Sequence, residues 1–85
     1  MNMTETEFLI QIGKVLTTHN NLKDYDEMNS LMDTPLPKTG SPNFNGFFNR
    51  LLLDKLIDDT GEPNWYFRLT RKGKEAYEKA LVEDR

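Results

Sequence analysis

The sequence predicts a mostly helical α+β domain, in which three helices lead into a two-stranded hairpin and a last helix closes the chain. Two stretches carry that expectation. Phe44, Phe47, Phe48, Leu51 and Leu52 recur at helical spacing, so they fall on one side of a helix and leave polar residues on the other. Leu56-Ile57 and Trp65-Tyr66-Phe67-Arg68-Leu69 flank a polar run containing Gly61 and Pro63, the pattern of strand, projecting turn and strand. Length sets the scale: 85 residues make one domain, 1–85. Such a chain buries only about 60 to 65% of the surface its unfolded form exposes, which leaves little interior for an enclosed active site.

Each element has its own signals. Thr4-Glu5-Thr6-Glu7 has the T-x-x-E spacing of a capping box, so a first helix is expected from Glu5 to about Thr18. Phe8, Leu9, Ile12, Val15 and Leu16 form its core stripe, and Ile10 lies off it. Met3 would sit near Ile10 if the helix began slightly earlier, and a pair of apolar groups on an outer face marks a partner contact. A lone exposed Ile is also an ordinary surface feature. His19-Asn20-Asn21 closes this helix, because Asn tolerates the left-handed conformation, and Asn21 is expected to cap a second helix over residues 22–32. There Tyr25, Met28, Leu31 and Met32 share one face.

Pro35, Pro37 and Gly40 break any helix over residues 33–40 and predict an extended loop pinned by Leu36. Ser41 as cap and Pro42 at the first helical position then start the third helix, 41–55. Its outer side carries Asn43, Asn45, Gly46, Asn49, Arg50 and Leu53. In the hairpin, 56–69, Trp65, Phe67 and Leu69 alternate with Tyr66 and Arg68, which puts Phe67 and Leu69 in the core. Thr70 caps the last helix, 70–82, where Gly73, Ala76, Tyr77, Ala80 and Leu81 make a narrow stripe suited to close packing.

Composition excludes several function classes. With no cysteine there is no disulfide, thiol catalysis or Cys-based zinc site, and the chain suits a reducing, cytoplasmic compartment. The longest apolar run, Leu51-Leu52-Leu53, is far too short to span a membrane, and Met1 to Thr6 lacks the features of a signal peptide. The one histidine, His19, has no partner for metal binding or catalysis, so no enzyme activity, metal or cofactor is expected. The chemistry that remains is recognition.

Two groups of residues suit it. Asn pairs with the N6/N7 edge of adenine and Arg with the O6/N7 edge of guanine, so Asn43, Asn45, Asn49 and Arg50 have the means to read a major groove, with Gly46 allowing close approach. The other reading is that asparagines near a helix start are solvated surface residues. Arg68, Arg71, Lys72 and Lys74 gather four positive charges where a strand passes into a helix. Cations in a first helical turn oppose the helix dipole, so phosphate binding accounts for them where local stability does not. Alternatively Glu75 and Glu78 screen them as plain surface.

From Leu51 onward, "LLLDKLIDDTGEPNWYFRLTRKGKEA" is similar to the helix end, "KGLI", wing and "YRLTxKG" of winged helix-turn-helix domains, and the element order resembles that of the MarR-type and PadR-type repressors. The resemblance covers about two thirds of the chain once the preceding helices are included. It implies a winged helix-turn-helix fold with Asn43, Asn45, Gly46, Asn49 and Arg50 on the recognition helix and residues 58–64 as the wing. Its implied function is transcription regulation by a dimer bound to double-stranded DNA, with Met3, Ile10, Leu53 or the last helix as dimer contact. This chain departs from the pattern in its acidic wing, Asp58, Asp59 and Glu62, in its long 33–40 loop, and in Leu53 on the reading face. Those departures suit an alternative: an acidic winged-helix module that binds a protein partner.

Overall fold

The computed structural model describes residues 3–40, 43–61 and 66–83. The elements are α1 (Glu5–Thr18), α2 (Tyr25–Ser30), α3 (Phe44–Leu53), β1 (Ile57–Asp59), β2 (Phe67–Leu69) and α4 (Arg71–Glu83). This is the expected α+β order of helices around an antiparallel hairpin.

Thr4 caps α1 by accepting the Glu7 N–H at 3.1 Å. Met3 precedes that cap and is buried, which corrects the expectation of an outward Met3. The reason is local: the residue before a cap and the fourth helical residue, here Phe8, form a hydrophobic staple, and both belong to the core. Ile10 is half-buried and packs against the same core.

The second helix is shorter than the periodicity predicts. Its cap is Asp24, whose carboxylate accepts the Asp26 N–H at 2.8 Å, and not Asn21. Asn21 instead holds φ 65, the left-handed conformation expected of an Asn past a helix end. Leu22 stays outside the helix because its carbonyl accepts the Phe67 N–H at 3.1 Å, which ties the segment before α2 to β2. Leu31 ends the helix as its C-cap and is exposed, so it leaves the stripe assigned to it, while Met28 and Met32 are buried.

The 33–40 loop is pinned by Leu36, as expected, but the pin has a polar lock. Asn29, the one buried polar residue among those described, donates from Nδ2 to the Leu36 carbonyl at 2.7 Å and accepts the Leu36 N–H on Oδ1 at 2.8 Å. Both backbone groups of Leu36 are thereby satisfied inside the protein.

Asn43, rather than Ser41, caps α3, so this helix starts at Phe44; Ser41 and Pro42 lie outside the described residues. Phe44, Phe48 and Leu51 are buried, with Phe47 and Leu52 packed against the core. Phe48 meets Phe67 edge-on with ring centroids 4.9 Å apart, which joins the helix to the hairpin. α3 ends at Leu53 in a turn where the Lys55 N–H reaches the Leu52 carbonyl at 3.1 Å and the Leu56 N–H the Leu51 carbonyl at 2.9 Å, a Schellman motif.

β1 and β2 pair with Ile57 opposite Leu69, Asp58 opposite Arg68 and Asp59 opposite Phe67. Part of the proposed wing, including Glu62 and Trp65, lies outside the described residues. Thr70 caps α4 as expected, its hydroxyl accepting the Gly73 N–H at 3.0 Å. α4 runs through Val82 to Glu83 and packs on α1, where Tyr77 covers Gly13.

Candidate macromolecule-binding face

α3 is fixed by its apolar side, so its opposite side is presented to solvent as a rigid surface. Asn45, Gly46, Asn49 and Arg50 are all exposed there. Leu53 continues the face at 81% exposure, far beyond what packing requires. Asn43 is set apart from this group. Its Oδ1 accepts the Gly46 N–H at 2.8 Å, so the acceptor half of an adenine-reading amide is engaged in holding the helix start.

Carboxylates of the same chain attend most of the cations. The Arg50 guanidinium donates to the Glu5 carboxylate, which brings the start of α1 against α3. Arg68 donates from Nε to its cross-strand neighbour Asp58 at 3.0 Å. Arg71 lies 3.6 Å from Glu75 one turn along α4. Lys72 reaches the Asp54 carbonyl at 3.4 Å, a cation at the negative end of α3. Among the described residues, Lys23, Lys55 and Lys74 form no ion pair.

Concavities flank α3 at both ends. One lies at its start, where Asn45 is joined by Lys23, Asp24, Tyr25, Asp26, Asp59 and Phe67. It is acidic, although Lys38 takes up part of the Asp26 charge at 3.3 Å. The other lies at its end, where Lys55, Arg71 and Lys72 surround the side chains of Leu52 and Ile57, with Asp58, Asp59 and Thr70 completing the wall.

No protein-family model matches this chain, and no curated protein or solved structure matches it significantly.

No helix among the described residues is long and apolar enough to cross a membrane, and no three His, Asp or Glu side chains there converge as metal ligands. Of the sequence candidates, the structure brings Asn45, Asn49, Arg50 and Leu53 onto one face. Arg71 and Lys72 stand beside the end of the same helix. Met3 is removed from any outer surface, and Ile10 is largely taken up by the core. Sequence reasoning missed Glu5, Asn29 and Lys55. The first two act through contacts distant in sequence and leave no local mark. Lys55 does leave one: it occupies the place of the glycine in the "KGLI" pattern.

Proposed function

We propose that this chain is a winged helix-turn-helix domain that binds double-stranded DNA, with α3 as its recognition helix and transcription control as its task. The observation that carries this reading is the exposed run of Asn45, Asn49 and Arg50 on successive turns of a helix held rigidly by its buried side. These are the side chains that pair with adenine and guanine edges, and a rigid support is what base reading needs. The bond from the Phe67 N–H to the Leu22 carbonyl supports the fold assignment, because it ties the two-stranded hairpin to the segment that precedes α2. The Glu5–Arg50 pair does not stand against DNA, since an exposed ion pair of this kind is worth only about 0 to 1 kcal/mol and exchanges readily for a stronger partner. Phosphate contacts come from the cations near the end of α3 and the start of α4. One domain supplies few of them, so useful affinity requires a dimer.

A second reading has its own observation. Leu53 is 81% exposed at the C-terminal end of α3, and Asp24, Asp26 and Asp59 border the concavity around Asn45 at its start. An exposed apolar side chain at one end of the helix and an acidic concavity at the other suit a basic protein partner laid along α3. A salt titration of binding to random duplex DNA, followed by fluorescence anisotropy with sedimentation of the same sample, separates the two. Binding that weakens steeply with salt, by a dimer, supports the DNA reading; no binding at low salt discards it in favour of the protein reading.

A further inference from the structure

We propose that Lys55 contacts a phosphate of the duplex, and that its charge is the reason a lysine stands where the backbone asks for glycine; this rests on the DNA reading above. Lys55 has φ 62 at the position after the α3 C-cap, where the Schellman turn requires the left-handed conformation. Glycine occupies such positions without strain, whereas a side chain with a Cβ does not. The turn gives Lys55 no alternative. Its carbonyl accepts the Thr70 hydroxyl at 2.7 Å and the flanking Leu56 carbonyl accepts the Thr70 N–H at 3.0 Å, so the start of α4 clamps the backbone in place.

Among the described residues no ion pair or hydrogen bond of the side chain repays that strain. Lys55 is exposed and forms no ion pair among the described residues. Its surroundings suit an anion: Arg71 and Lys72 share its concavity, and Asp58 on the same wall is already engaged by Arg68. Asp59 is the remaining carboxylate there. Lys55 also lies little more than one helical turn beyond Arg50, so a duplex whose bases meet the α3 face runs its backbone past this end of the helix. Strain retained at an exposed cation, beside a recognition surface, is the pattern of a residue kept for binding.

The test sets stability against binding in the full chain. Lys55→Gly relieves the backbone and should raise Tm by about 2 to 6 °C. The same change should weaken binding to random duplex DNA about 3- to 10-fold at low salt, and make the slope of log K against log salt shallower by about 0.9. Lys55→Arg, which keeps charge and strain, should bind within about 2-fold of the natural chain. Wild-type binding matched by Lys55→Gly, with an unchanged salt slope, overturns the assignment while leaving the DNA reading standing. A natural chain that binds no duplex at low salt removes the DNA reading itself, and this assignment with it.

Discussion

Gly73 approaches the carbonyl oxygen of Leu56 so closely that a β-carbon on Gly73 would fall 1.8 Å from that oxygen. The obstacle is backbone, already held by the Thr70 N–H, and cannot swing aside. Gly73→Ala should therefore force α4 away from the α3 end and cost about 3 kcal/mol or more despite the better helix propensity of alanine. Urea unfolding measures this directly, and a variant as stable as the natural chain would mean that α4 does not pack there.

Asn29 and Leu36 form the second constraint on the face, because they fix the loop that delivers α3. Asn29→Ala strips both backbone groups of Leu36 of their partners in a buried place, at about 1 to 3 kcal/mol for each group left unsatisfied. Amide exchange gives the specific readout. The Leu36 N–H should lose its protection in the variant, and retained protection would show that the loop is held by something other than this side chain.

Arg50 and Lys72 should differ in kind. Arg50→Ala is expected to weaken binding to a selected site by about 1 to 3 kcal/mol and to relax the preference at one base pair. Lys72→Ala should weaken all sequences alike and lower the salt slope by about one. Parallel selections from a randomised duplex library with the two variants check both statements.

Leu53 discriminates between the two kinds of partner. Leu53→Gln keeps helix propensity and net charge, and at 81% exposure it should change stability by no more than about 0.5 kcal/mol. A complex with a protein seated on this face should be lost, whereas affinity for random duplex should be retained. Loss of duplex binding with an unchanged circular dichroism spectrum would place Leu53 inside a DNA contact if sedimentation still shows a dimer, and inside the dimer contact if it does not.

The parts of this architecture that follow from short-range physics were legible in the sequence. The α3 stripe, the Thr70 cap and the alternation of Phe67 and Leu69 are each set within a few residues, and periodicity reports them. The start of α3 is also local, but two capping signals compete there, Ser41 and Asn43, and the preference scale does not rank them. Contacts made across the chain are silent in such a reading. Leu22 has the spacing of a helical residue, yet its carbonyl is claimed by Phe67, and that claim shortens α2. For the face itself, composition and spacing identify Asn45, Asn49 and Arg50. That Glu5 stands against Arg50 is a property of how α1 crosses α3.

The bond between Leu22 and Phe67 also bears on the order in which the molecule assembles. It joins residues on either side of α2, the 33–40 loop, α3 and β1, so the entropy of a long closure stands against it until those elements have condensed. The hairpin and α3 form through near neighbours, so the segment at Leu22 is expected to dock after them. Kinetically, then, the seam at Leu22 is a late event: perturbing it should mainly quicken unfolding and leave the folding rate nearly unchanged.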